Sequence, residues 1–192
     1  MAGATIPVAP PVAALPGSSG QGAPPIAGYT ASAHCKVDDI VALAGGEIAP
    51  AAANAAGSIA GIAQGDSVAV FQQDDTGLQG VFGADNVNTG LLPAGPGLTR
   101  VATLGAPVVV EISLTPTTGW VSGGSQQADI GTAVGLAIDG GTGFYLADPT
   151  ASNKVAVIDS KVEGPGKGGE GDLGGRVRVV FNAAALAVQQ GQ

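Results

Sequence analysis

This sequence has few side chains that could serve as a nucleophile, a general base or a metal ligand. The one histidine and the one cysteine are adjacent, at His34 and Cys35. Neighbouring residues of a strand point to opposite faces, so these side chains are badly placed for the hydrogen bond that activates a thiol. One histidine and one cysteine are also too few for a Cys/His zinc site within one chain. We therefore expect a structural pair here.

The remaining candidates for chemistry are acidic pairs and a glycine-rich run. Asp38–Asp39 and Asp74–Asp75 each place two carboxylates side by side, but solvated turn acids are far commoner than catalytic pairs. The run GPGKGG (164–169) matches G-x-G-x-x-G, yet it leads into a strand and not into a helix. Gly168 also stands where a Walker A motif needs Ser or Thr. We expect no catalytic residue, no cofactor and no metal, and hence no enzyme.

The charge balance argues against two classes of partner. The chain has 15 acidic and 7 basic residues, which gives a net charge of −8. Phosphate binding needs clustered Lys and Arg, and the bases here are scattered, so we expect neither nucleic acid nor an anionic membrane as a partner. No apolar run approaches the roughly 20 residues of a membrane span. The first basic residue is Lys36, so the N-terminus lacks the basic region of a secretory signal, and cytoplasmic synthesis is the simplest interpretation.

The elements that would position any site are short β-branched runs, which begin at about residue 29. Apolar and polar residues alternate in several of these segments, such as RVRVVF. Turn residues separate the segments, which include VVVEISL, TAVGLAI and KVAVIDS, at intervals of about 8–12 residues. This pattern predicts an all-β domain over residues 29–192, a β-barrel or β-sandwich of short antiparallel strands. Short helices are expected only at residues 49–58 and in NAAALAVQQ. Aromatic residues make up only 4% of the chain, so the core must consist of small side chains and gains from burial against a partner.

The first 28 residues have a different composition, in which prolines alternate with Gly, Ser and Ala. Proline fixes φ and removes a backbone donor, so we expect an extended, irregular N-terminal arm without helix or sheet. The arm is either a disordered tail or a segment that becomes ordered along a neighbouring subunit, because TIPVAPPVAAL carries apolar side chains that a spacer does not need. Its candidate interaction residues are Ile6, Pro7, Val8, Pro10, Pro11, Val12 and Leu15.

Four residues of the folded part are further candidates for an interface. Arg176 and Arg178 are two residues apart on one strand and share a face. They are either the solvated side of an edge strand or partners for carboxylates of another subunit. Trp120 and Tyr145 are large rings in a chain that has few; such rings fill cores or anchor interfaces. Because Phe144 and Tyr145 are adjacent, one is expected in the core and the other at the surface.

Two segments of the chain are similar to each other. Residues 57–71 and residues 131–146 share the pattern G-[ST]-x-x-G-[IL]-A followed by a Gly/Asp turn and a strand. Two related hairpins in one barrel would produce this similarity, and so would an Ala/Gly-rich composition.

Several strand-and-turn motifs are similar to those of a known class of protein. IGTAVGLAI, GFYLADPTASNKVAVI and a last strand GGRVRVVF, together with DDIVALAGGEIAPA and IAGIAQGDSVAVF, resemble small all-β capsid decoration (cement) proteins of tailed bacteriophages over residues 36–181. The resemblance implies a protein made in the host cytoplasm that binds the outer surface of the phage head in the virion. It implies a homotrimer whose partner is the major capsid protein, with no catalytic residues to transfer.

A second class of function stays open at this stage. The chain is alternatively another virion or surface β-protein, such as a tail, fibre or module that binds glycans or a host surface. Glycan binding favours exposed aromatic rings beside carboxylates, and Trp120 with Phe144–Tyr145 is the one plausible platform in the sequence.

Overall fold

The chain folds almost entirely into short strands. The computed structural model describes residues 10–14, 24, 26–64, 68–69, 72–74, 77–79, 97–104, 108–115, 127–162 and 175–187. Within these ranges there are fourteen strands and two 3-10 helices, Gln127–Asp129 and Ala183–Ala185. The strands are β1 Val12–Ala14, β2 Ile26–Ala31, β3 Ile40–Ala44, β4 Glu47–Pro50, β5 Ile59–Ala63, β6 Val68–Ala69, β7 Gln72–Asp74, β8 Gly77–Gln79, β9 Gly97–Thr103, β10 Val109–Leu114, β11 Ala133–Ile138, β12 Tyr145–Asp148, β13 Ala156–Lys161 and β14 Arg176–Phe181.

Ten of these strands form two closed five-stranded barrels. The N-terminal barrel has the order β2-β4-β3-β5-β9 and closes through β2 and β9, whereas the C-terminal barrel has the order β10-β12-β11-β13-β14 and closes through β10 and β14. The β2–β4 and β10–β12 pairs are parallel, and the other described pairs are antiparallel. The predicted all-β class is confirmed, and its strands form two barrels, the first of which begins at Ile26.

The two barrels repeat one fold. In both, the five strands taken in chain order are arranged 1-3-2-4-5 around the barrel, with the parallel pair between the first and third strands. The residue that follows the first strand is held in the same way in each. Ser32 N donates to Ile48 O at 2.9 Å, and Thr115 N donates to Ala147 O at 2.9 Å. The barrels therefore match in backbone hydrogen bonding as well as in strand order.

The turn that leads into the second strand is also repeated. We call residues 36–39 and 129–132 the tip turns. In each, the fourth residue donates its amide hydrogen to the carbonyl oxygen of the first, at 3.1 and 3.0 Å. The third residue, Asp38 or Gly131, has φ of 68° or 86°, and its amide donates to the fourth strand of its barrel at 2.9 or 2.8 Å. In both barrels, a residue with left-handed φ therefore lies two positions before the second strand.

The internal repeat differs in register from the sequence-based prediction. Residues 57–71 include β5, the fourth strand of one barrel, whereas residues 131–146 cover the second and third strands of the other. Matching the tip turns and strand registers aligns Pro50 with Pro149 and Asn54 with Asn153, so PAAAN corresponds to PTASN. Several Ala/Gly-rich segments resemble one another, which explains why the sequence alone suggests the wrong pair.

The buried apolar side chains form two hydrophobic clusters, one of which includes residues of both barrels. One cluster fills the N-terminal barrel with side chains from all five of its strands and consists of Ala31, Cys35, Val41, Ile48, Ala60, Ala63 and Val101. A larger cluster fills the C-terminal barrel and also includes Ile40, Ile59 and Ile62 of the N-terminal barrel. All five residues of β5 are buried, because one set of its side chains faces its own barrel and the other packs against the second barrel.

Local sequence explains where the predicted elements hold and where they fail. In β14, Val177, Val179 and Phe181 are buried and alternate with more exposed residues, as the period of two predicts. The helix predicted at 49–58 is wrong: β4 extends to Pro50, and Asn54 and Ser58 have φ of 57° and 61°, which a right-handed helix does not allow. Of the helix predicted in the tail, the structure describes residues 182–187, and there Ala183–Ala185 forms a 3-10 helix.

The described part of the arm differs from the predicted irregular segment. Val12–Ala14 pairs as β1 with residues 109–111 of β10, and β2 already begins at Ile26. This pairing is available because β12 pairs with β10 only at residues 113–114, which leaves part of that edge of β10 open. A stretch without proline can donate its amides to this edge, whereas Pro10 and Pro11 cannot.

Candidate interaction surfaces

The thiol of Cys35 lies in the interior of the N-terminal barrel. The side chain is buried in the N-terminal barrel, and its Sγ donates to the Ala33 carbonyl at 3.5 Å. Burial, with the Asp39 carboxylate nearby, raises the pKa of Cys35 to about 11, so the thiol stays protonated near neutral pH. In the part of the chain that the structure describes, no three His, Cys, Asp or Glu side chains cluster in a way that would hold a metal ion.

Arg176 anchors the arm to the C-terminal barrel. Its Nη2 donates to the carbonyl oxygens of Pro10 at 3.0 Å and Glu111 at 3.1 Å, and its Nε lies 3.2 Å from Glu111 Oε1. Burial lowers the pKa of Arg176, and the Glu111 carboxylate opposes that effect. The guanidinium therefore joins three elements: the chain entering β1, the edge strand β10 and its own strand β14.

Arg178 shares the same carboxylate. Its Nε lies 3.7 Å from Glu111 Oε2, and its side chain is about half exposed. The two arginines therefore lie on one face, as their spacing predicts, and both face a carboxylate of their own chain. An ion pair as exposed as that of Arg178 stabilises a fold by at most about 1 kcal/mol, whereas the buried contacts of Arg176 contribute more.

Tyr145 joins the two barrels. Its ring is fully buried, and its hydroxyl donates to the Ala51 carbonyl at 2.6 Å. Burial, and then the charges of Asp39 and Cys35, raise the pKa of Tyr145 well above its ordinary value. Phe144 is half buried. Tyr145 therefore contacts the other barrel of its own chain and is not at the surface, where an interface or a glycan platform would need it.

Equivalent loops of the two barrels meet at Asn54. Its Nδ2 donates to Ser152 Oγ at 2.7 Å, its Oδ1 accepts the Asn153 amide at 2.9 Å, and its carbonyl accepts Asn153 Nδ2 at 2.7 Å. Its own amide donates to the Leu136 carbonyl at 2.7 Å. Because Asn54 and Asn153 are equivalent positions, the barrels are joined through matching loops and held in one fixed arrangement.

Each tip turn carries an exposed apolar side chain. Val37 is 51% exposed and Ile130 is 38% exposed, and both are the second residue of their turn. The pair is not visible in the sequence, because the two turns, KVDD (36–39) and DIGT (129–132), have no identical residue at any equivalent position. The register of β3 and β11 is what reveals the equivalence. The barrels therefore display a matched pair of apolar contacts, which we call the tip residues.

Other candidates from the sequence lie in different settings. Pro11 is buried, Pro10 is half buried and Val12 is exposed on β1 beside β10. Ile6, Pro7, Val8, Leu15 and Trp120 lie outside the described residues.

No protein-family model matches this chain, and no curated protein sequence is significantly similar to it. Among the described residues, no helix has the length and apolar character that crossing a bilayer requires.

Proposed function

We propose that this chain is a capsid decoration (cement) protein. It binds the outer surface of a tailed-phage head as a homotrimer and stabilises the contacts between major capsid protein subunits. The observation that carries the proposal is the repeated barrel with an exposed apolar residue at the same turn in each copy, Val37 and Ile130. A capsid repeats one surface many times, so two equivalent contacts in one chain can engage two neighbouring copies of that surface.

The fixed arrangement of the barrels supports this use. The Tyr145 hydroxyl and the Asn54 loop hold the barrels together, and the larger hydrophobic cluster includes buried residues of both. A rigid pair of contacts loses little conformational entropy when it binds, whereas two contacts on a flexible linker lose more. Such a chain is therefore suited to bridging adjacent subunits.

The chemistry of the described side chains also favours a binding protein over an enzyme. Glu111 faces two arginines, and the Cys35 thiol is buried with a raised pKa. A cement protein needs no reactive group, because it works by mass action: it binds the assembled shell and not the free subunits. When the free protein is at a concentration of 100 times Kd, its binding stabilises each site on the shell by about 2.7 kcal/mol.

Binding to particles tests the proposal. Purified protein is added to heads that lack it, and bound protein is measured by sedimentation for the wild type, Val37→Ser, Ile130→Ser and the double variant. Each side chain is about half exposed, so burying the rest is worth about 1 kcal/mol, or roughly fivefold in Kd. Each single variant should bind about fivefold more weakly, and the double variant more weakly than either.

Ile138→Ser is the matched control, because Ile138 is 43% exposed but lies at the end of β11 and outside both tip turns. It should bind like the wild type. Heads carrying wild-type protein should also rupture at a higher temperature than bare heads. Wild-type protein that stays in the supernatant at micromolar concentration contradicts the proposed function, and a double variant that binds like the wild type contradicts the role of the tip residues.

A further inference from the structure

The edge of β10 that receives β1 has an equivalent in the N-terminal barrel. Val12–Ala14 pairs with residues 109–111, where Glu111 is opposite Arg178 of the last strand. In the N-terminal barrel, Gly28 is opposite Arg100 of the last strand. The parallel pairs agree with this match, since Leu114 pairs with Ala147 and Ala31 with Ile48. Residues 26–28 of β2 are therefore the counterpart of residues 109–111.

This second edge is open among the described residues. β2 pairs with β9 on one side, and on the other side it pairs with β4 only at Ala31. Ile26 is 48% exposed, whereas its counterpart Val109, which is opposite Ala14 of β1, is 8% exposed. A Cβ added to Gly28 would meet nothing within 4 Å. An unpaired edge with an exposed apolar side chain is a template for an added strand.

The arm contains two copies of the segment that such an edge accepts. Pro-Val-Ala occurs at Pro7–Ala9 and again at Pro11–Ala13. The second copy supplies the first two residues of β1, with Val12 opposite Glu111 and Ala13 opposite Val110. The first copy is only four residues away, which is at most about 14 Å of extended chain. The chain thus has two Pro-Val-Ala segments and two equivalent edges, with one segment paired to one edge.

We propose that Val8–Ala9 of a second copy pairs with Ala27–Gly28 of β2, in the register that β1 has on β10, so that Val8 is opposite Gly28 and Ala9 is opposite Ala27. The contact is heterologous, because the arm of one copy meets the barrel of the next, and such contacts close into rings such as the proposed trimer. The inference rests on the proposed function only in that copies of the chain assemble; it names the surface through which they do so.

Disulfide formation between two variants tests this register. Val8→Cys and Gly28→Cys are made separately in a Cys35→Ala background, where alanine matches Ala128, the residue at the equivalent position. The two proteins are mixed and oxidised, and the products are separated without reductant. Residues opposite each other across two strands lie within the Cα distance of 4.4–6.8 Å that a disulfide needs. The mixture should give mainly the Val8–Gly28 linked dimer.

Thr30→Cys replaces Gly28→Cys as the register control, because it lies two residues further along the same face of β2. It should link to Val8→Cys at least fivefold less. Val12→Cys with Glu111→Cys in one chain is the positive control for oxidation and should close an internal disulfide. Equal linking to Thr30 and Gly28, or none to either, overturns the proposal. A chain carrying both Val8→Cys and Gly28→Cys that gives only internal disulfides also overturns it, because its own arm is then the occupant.

A second variant keeps the test independent of cysteine chemistry and of head binding. Ile26→Glu places a charge on the exposed edge residue and should dissociate the oligomer in sedimentation velocity, whereas Ile138→Glu should not. If Ile26→Glu leaves the oligomer intact but abolishes binding to heads, the edge takes a strand of the capsid instead, and the assignment to a second copy is wrong. If the oligomer dissociates while wild-type protein fails to bind heads, the inference stands and the proposed function fails.

Discussion

Removing one oxygen atom from Tyr145 tests whether the two barrels form one unit. Tyr145→Phe keeps the buried ring but deletes the hydroxyl that donates to the Ala51 carbonyl at 2.6 Å. The carbonyl loses this buried partner, and an unsatisfied buried acceptor costs about 1–3 kcal/mol. We expect a loss of about 2 kcal/mol in the free energy of unfolding, which for a chain of this length lowers Tm by about 4–8 °C.

The matched control is Tyr29→Phe, which removes the same atom from the other tyrosine of the chain, a half-buried residue that packs against the core of the N-terminal barrel. It should lower Tm by less than about 2 °C. Calorimetry measures both. The wild type should unfold in one transition, because the larger hydrophobic cluster includes buried residues of both barrels. If Tyr145→Phe is no less stable than Tyr29→Phe, the Tyr145 hydroxyl does not stabilise the contact between the barrels. If the wild-type barrels unfold in two separate transitions, they do not form one unit.

Two further predictions concern the N-terminal barrel. The folded-state pKa of Cys35 is about 11, above the ordinary value of 9.0, so the fold favours the neutral thiol, and stability is lost as pH rises from about 9 to about 11. Denaturant titrations should show the wild type losing about 2 kcal/mol more than Cys35→Ala over that range, and parallel curves would contradict the burial argument. A Cβ on Gly61 would lie 2.2 Å from the Ala102 carbonyl oxygen, whereas one on Gly140 would meet nothing within 4 Å. Thermal melts should therefore show that Gly61→Ala costs more than about 2 kcal/mol and Gly140→Ala less than about 1 kcal/mol; equal losses would refute the close approach at Gly61.

The sequence predicts the fold class well, because strand periodicity is a local signal. RVRVVF alternates in the structure as it does in the sequence, with Val177, Val179 and Phe181 buried. Arg176 and Arg178 likewise share a face, since residues two apart on a strand do so by geometry. The helix predicted at 49–58 follows from the high helix propensity of alanine, but β4 takes residues 49–50 into the sheet, and Asn54 and Ser58 have left-handed φ.

The long-range features are not readable from one sequence. Glu111, which faces both arginines, is 65 and 67 residues away from them, and no local pattern connects them. The repeat of the barrel is hidden in the sequence because equivalent positions have similar backbone geometry but different residues. Asp38 and Gly131, for example, both have left-handed φ. The tip residues and the open edge of β2 follow only from that equivalence, so they could not be predicted.

Attachment to the head should be visible in a cryo-electron microscopy reconstruction of the particles. We expect density for pairs of five-stranded barrels on the outer surface of the head, in threefold clusters where major capsid protein subunits meet. The tip turns at residues 36–39 and 129–132 should contact the shell. An outer surface without such density, or density for this chain only in the tail or fibres, would contradict the account.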